Sequence, residues 1–171
     1  AAMRHVLDRQ PGEQHRLTAT AYLGAALVRL DSAEAARPHL DAAIAGLRPG
    51  SDIAAFARLW RARAAFAGAG QSALAWEDLT AAAAHRATAT QASLEALERA
   101  VAAQDSAALH DAFAWFGRLR DVTRSLDTLD AIFARGAAWS PAVMLAASTP
   151  LEAGPWRADV VDRVAMARAR I

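Results

Sequence analysis

Residues 31–44 read DSAEAARPHLDAAI (Asp31 to Ile44), and they open as a capped helix does. A short polar side chain at Asp31 or Ser32 can accept from the backbone N–H groups that a first helical turn leaves unpaired. Comparable openings follow at Gln71-Ser72-Ala73, Asp105-Ser106-Ala107 and Ser140-Pro141-Ala142, the last with proline at the first helical position. The serines at 32, 72, 106 and 140 stand 40, 34 and 34 residues apart, and another helical segment precedes each. The unit is therefore a helical hairpin of about 34–40 residues, the period of stacked hairpin arrays.

Composition agrees with this reading. More than a quarter of the residues are alanine, the best helix former, and runs of Val, Ile and Thr with period two are absent. The first helices of the pairs are expected at about 14–30, 52–67, 88–103 and 123–135, and the second at about 33–47, 72–85, 106–119 and 141–148. Breaks fall at Arg48 to Asp52 (RPGSD), at His85 to Thr88 and at the corner from Arg120 to Thr123, and Ser148 to Pro155 (STPLEAGP) reads as a loop. Gly68-Ala69-Gly70 lies between two helices and reads as a helix-stop turn, outside the strand-to-helix setting of a phosphate loop. Pro38, inside its helix, removes one donor and predicts a bend.

The first two pairs superpose at an offset of 39: Leu27 on Phe66, Ala36 on Ala75, Leu40 on Leu79 and Ala43 on Ala82. Leu23-Gly24 and Leu27 on the first helix, then Ala36, Leu40 and Ala43 on the second, alternate large and small residues as tightly packed helix pairs require. This pattern resembles the tetratricopeptide repeat over residues 14–85, with Leu40 where that family often has an aromatic. The resemblance implies an all-α fold, a right-handed solenoid of three to four hairpins. In the third pair Leu109, Phe113 and Phe116 keep the apolar stripe without the small residues, so residues 86–171 read as divergent helices of the same single helical domain, 1–171. After Gly154-Pro155, Trp156, Val160, Val164 and Ile171 form an amphipathic stripe, with Asp159 and Arg163 spaced to pair, as expected of a C-terminal capping helix. Ala1 to Glu13 echoes Ala42 to Asp52, as if the chain began in the second helix of an earlier unit and were part of a longer protein.

The resemblance also implies an inner wall built from first helices, here Thr18, Ala21, Ala25, Val28 and Arg29, then Ala57, Trp60 and Ala64. Small residues around one aromatic anchor suit a peptide or partner helix with an apolar face. Arg58, Arg61 and Arg63 share one helix, where they are either solvated surface or, with Arg61 at the groove, a fork for an acidic partner or a terminal carboxylate.

The remaining chemistry is thin. Cysteine is absent, which removes disulfides and thiolate sites, and the serines that open the helices read as caps with no His-Asp partnership. His110-Asp111 is similar to the adjacent metal ligands of HD-type phosphohydrolases, with His85 and Asp159 or Asp162 as the further ligands such a site would need. Glu77-Asp78 and Glu95 with Glu98 read as acidic helix surface. Nineteen basic residues, all arginine, against 18 acidic ones give a net charge of +1, which exerts little pull on nucleic acid. No stretch approaches the ~20 apolar residues of a membrane span, so the expectation is a cytoplasmic chain that does not enter a membrane. The leading expectation is a non-catalytic module, without cofactor or metal, that binds a protein or peptide in a concave helical groove; the Ala-rich helices could also meet a second copy. The alternatives are a sensory or oligomerisation arm of a bacterial transcription regulator and, third, the HD-like metal-dependent hydrolase.

Overall fold

The computed structural model describes residues 12–67 and 72–171, and among these all regular structure is helical. Nine α-helices are described: α1 (Glu13–Arg29), α2 (Ala33–Gly46), α3 (Asp52–Ala67), α4 (Ser72–Ala83), α5 (Ala89–Ala103), α6 (Ser106–Phe116), α7 (Leu126–Trp139), α8 (Pro141–Ala147) and α9 (Ala158–Ala169). Two 3-10 segments, Thr123–Ser125 and Thr149–Ala153, complete them. The second of these occupies the stretch expected as a loop: Pro150 holds a helix-compatible φ and Leu151 N–H closes a tight turn on Ser148 O at 3.0 Å. The echo in Ala1 to Glu13 falls largely, and the turn at Gly68-Ala69-Gly70 and the cap at Gln71 fall wholly, outside the described residues.

The helix openings are capped by a more varied set of side chains than four serines. Ser140 does accept from Val143 N–H at 3.4 Å. At the third hairpin the cap is Asp105, whose Oδ1 accepts from Ala107 and Ala108 N–H at 3.0 Å each, and Ser106 is already the first helical residue. Ser32 sits at the cap position of α2, but its hydroxyl donates back to Leu30 O at 3.3 Å. Ser51 caps α3 through Ala54 N–H at 3.3 Å.

The chain divides into two compact units, one ending at Thr88 and the other beginning at Ala89. In the first, α1 packs on α2 and α3, and α3 packs on α2 and α4. In the second, α5 packs on α6 and α7, α6 on α8, and α7 on α8 and α9. Within each unit, short links fold consecutive helices into hairpins, and the first helices of neighbouring hairpins lie side by side.

Small residues allow the close approaches. A Cβ on Gly24 would come within 2.6 Å of Leu40 Cγ, so α1 and α2 touch there through a bare backbone, with Ala36, Leu40 and Ala43 fully buried beneath. In the second unit Gly136 gives the same room to Met144 of α8. The core there is larger-grained: Leu97, Leu109, Phe113, Phe116 and Ile132 are fully buried, and the Phe113 and Phe133 rings stack at 5.4 Å.

The terminal helix is pinned at three places. Val160, Val164 and Ala167 are its buried stripe. Arg163 pairs with Asp130 at 2.8 Å and with Asp127, both on α7, in place of the expected partner Asp159, which pairs with Arg157 at 3.2 Å. Those two carboxylates, Asp130 foremost, raise the Arg163 pKa above the ordinary arginine value. Arg168 reaches Ser148 Oγ at 3.0 Å and pairs with Glu152, while the Trp156 indole N–H donates to Leu119 O at 2.6 Å.

The turns inside the first and third hairpins are the same device. Asp31 and Gln104 both adopt φ of 54°, and the next residue's N–H returns to a carbonyl five positions back: Ser32 to Leu27 at 2.9 Å and Asp105 to Ala100 at 3.0 Å. A left-handed residue with a side chain is strained, less so for Asp than for Gln. Glycine at either position relieves that strain. Gln104→Gly is expected to raise unfolding free energy by about 0.5–1 kcal/mol, and Asp31→Gly by less, as read by urea denaturation.

Candidate functional site

The guanidinium cluster predicted on residues 58–63 finds its carboxylate inside the chain. Asp78 of α4, expected as acidic surface, has no exposed area at all. Arg61 grips it with two donors, Nε to Oδ2 at 2.6 Å and Nη2 to Oδ1 at 2.9 Å, and Arg58 Nη1 adds a third bond at 3.0 Å. The remaining fork of Arg61 reaches Asp41 of α2 at 2.8 Å. Helical spacing explains the convergence: three residues apart, Arg58 and Arg61 share one face of α3, the face turned to α2 and α4. The hydrogen bonding of Arg61 to the Asp78 carboxylate is the main reason the Arg61 proton is held more tightly than in an ordinary arginine, against the opposing pull of burial. Because the folded value is raised, that stabilisation is complete at every pH below the arginine range and is lost only in strong alkali. Arg61 is therefore a structural clamp between three helices and is not available to a groove partner.

Arg63 lies on the opposite face of α3, with Phe56 and Trp60. There the guanidiniums of Arg29 and Arg63 stand over the Trp60 ring at 5.1 and 4.3 Å from its centroid. Phe56 tilts against Trp60 at 6.0 Å, and Tyr22 of α1 against Phe56 at 4.9 Å. Cation–π contacts of this kind contribute about 0.5–2 kcal/mol each, depending on desolvation. The result is a strip of three aromatic rings and two cations along the line where α1 meets α3.

The wall residues expected from the sequence separate into two groups. Ala21, Ala25, Ala57, Ala64 and Trp60 are buried in one core cluster with Ala36, Leu40 and Ala43. Packing of α1 against α3 closes the small residues of both helices into the seam, which corrects their placement on an open wall. Trp60 is only 7% exposed, so removing its side chain excavates the core, at a cost of about 3–5 kcal/mol, rather than blunting a surface anchor. Val28 is half-buried against the same cluster, and the Thr18 hydroxyl is spent on Gln14 O at 2.8 Å. Arg29 alone of the nine is exposed. The surface belongs instead to the adjacent positions, Tyr22, which is 40% exposed, and half-buried Phe56. The spacing of His15, Tyr22 and Arg29, and of Phe56 and Arg63, at seven residues carries that signal, because positions seven apart share a helix face.

His110 and Asp111 point to solvent and contact each other at 3.7 Å, and His85 bonds Gly50 O at 3.0 Å. Among the described residues no three His, Asp or Glu side chains gather as metal ligands would, and no helix is long and apolar enough to cross a membrane. Protein-family models, curated proteins and solved structures give no match to the chain. The geometry of α1 and α3 therefore carries the functional reading.

Cutting one partner from a buried ion pair strands the others, typically at about 3–5 kcal/mol. Asp78→Asn is expected to lower unfolding free energy by about that amount in a urea titration, whereas Arg58→Ala, at a third-exposed side chain, costs about 1 kcal/mol.

Proposed function

We propose that this chain is a non-catalytic interaction module, a stack of tetratricopeptide-like hairpins that receives a protein or peptide partner on the face formed by α1 and α3. The observation that carries the reading is the aromatic strip. Tyr22 and Phe56 present ring surface to solvent, supported from below by Trp60, which two guanidiniums hold in place. Rigid aromatics seated on a packed base are the side chains on which binding energy concentrates at interfaces.

Two features support the hairpin array behind this face. Within each unit the first helices of successive hairpins lie together, as a repeat requires. At an offset of 73, Asp31 falls on Gln104, Ala36 on Leu109, Leu40 on Phe113 and Ala43 on Phe116, so turn and buried stripe recur in the third hairpin. In this reading the α1/α3 face is the concave side of the first unit's hairpins.

Selection of short peptides from a displayed library on the full chain tests the proposal. The selected peptides are expected to lose at least about tenfold in affinity to Tyr22→Ala and to keep it for Leu145→Ala, an exposed apolar residue of α8. Thermal melting of both variants confirms that the fold is intact. Peptides that bind the Tyr22 variant as tightly as the original chain would show that the docking face lies elsewhere.

A further inference from the structure

We infer that the occupant of the α1/α3 face is an acidic peptide segment of a partner protein, with a carboxylate directed to Arg29 and apolar side chains laid on Tyr22 and Phe56. The inference rests on the docking role proposed above and adds its chemistry. It follows from where charge sits on the two helices. Each carries a single acidic residue, Glu13 on α1 and Asp52 on α3, and both lie in the first turn. Asp52 is in addition turned toward His85, 3.5 Å away. Beyond those turns the only charges are arginines, and they divide by face. Arg58 and Arg61 are consumed by Asp78 and Asp41 on the inner side of α3. Arg29 is exposed, stands over Trp60, and meets no carboxylate within 4 Å among the described residues. Arg63 stands over the same ring.

The exposed Arg29 guanidinium, held over the Trp60 ring, carries N–H donors that a carboxylate matches in geometry. Stacking also fixes the arginine before any partner arrives, so less side-chain freedom is lost on binding. The strip is thus cationic at its C-terminal end and aromatic in the middle, which fits a segment in which acidic residues follow or flank apolar ones. A nucleic-acid strand fits less well. Its affinity is built from many phosphate contacts along a basic track, and this chain offers two arginines on the strip and a net charge of +1.

The test uses the full chain and three fluorescein-labelled probes of about ten residues: a peptide of Glu, Asp and Leu, its counterpart with Lys in place of the acids, and single-stranded oligo-dT. Only the acidic peptide is expected to saturate. Its affinity should fall at least about tenfold between ~50 and ~500 mM salt, and by about tenfold or more in Arg29→Glu, while Arg29→Lys retains part of it. The salt series needs no variant, so a folding defect in Arg29→Glu leaves the inference exposed to refutation. Failure of the acidic peptide to bind, equal binding to Arg29→Glu, or equal binding of oligo-dT overturns it. So does a dimer in sedimentation velocity that Tyr22→Ala dissolves, which would make a second copy the occupant. Neutral or basic peptides from the library that still depend on Tyr22 would refute the acidic chemistry and leave the docking face standing, whereas library peptides indifferent to Tyr22 remove both.

Discussion

A carboxylate with no exposed surface, Asp78 of α4, is held by two arginines of α3, one of which reaches on to Asp41 of α2, and this network ties the three helices of the first unit together. Asp78 alone would be costly to bury, because an ionised group taken from water loses several kcal/mol of hydration. Three charge-assisted hydrogen bonds from Arg58 and Arg61 offset that loss, and Arg61 extends the network to Asp41. A planar fork with donors in fixed directions tolerates little rotation of the helices that carry its partners. The network therefore acts on register more than on net stability: helix slippage that a greasy interface of alanines would permit must here break a bond to a buried charge.

That constraint has a consequence on the far side of α3. Arg58 and Arg61 fix which way the helix is rolled, and residues half a turn away are then directed outward and toward α1. Phe56, Trp60 and Arg63 occupy that opposite side, and the alanines at 57 and 64 fill the seam. The aromatic strip is in this sense set by the salt-bridge network behind it. Alanine supplies little directional information of its own, since any of its faces packs about equally well, and a helix as rich in alanine as α3 needs such a device to present one face in preference to others.

Much of the helix layout was legible because it depends on local signals. Proline, glycine and short polar residues mark ends, and the spacing of Leu23-Gly24, Leu27, Ala36, Leu40 and Ala43 encodes a close helix pair, as Gly24 against Leu40 bears out. What escaped the sequence depends on neighbours far along the chain. Glu77-Asp78 has the look of a solvated pair, and its burial is decided by arginines 17 and 20 residues upstream on another helix. The pairing of Arg163 escapes the sequence for the same reason: Asp159 has suitable spacing within one helix, but the guanidinium meets two carboxylates of α7, Asp127 and Asp130. The inward-facing positions that the repeat resemblance implies differ by about one residue from the surface of this chain: Ala21 and Ala57 are drawn into the α1/α3 seam, while their bulkier neighbours, exposed Tyr22 and half-buried Phe56, lie at its edge.

The fading of the small-residue signature after residue 85 reflects a change of packing grain, not a loss of hairpins. Where the first hairpin sets Gly24 against Leu40, the corresponding positions of the third hold Leu97 and Phe113, both fully buried. Larger side chains on both helices of the third hairpin thus stand where the first has a bare backbone against Leu40. This difference bears on function, because exposed apolar surface is distributed differently in the two units. In the second, Leu145 lies on α8, and Val161 and Met166 lie on α9 at five residues' separation, about 140° apart around the helix, so they face different directions. Isolated apolar residues of that kind are ordinary surface. Rings and cations share one line where α1 meets α3, and the same alanine-rich seam that hides the expected wall is what brings that line together.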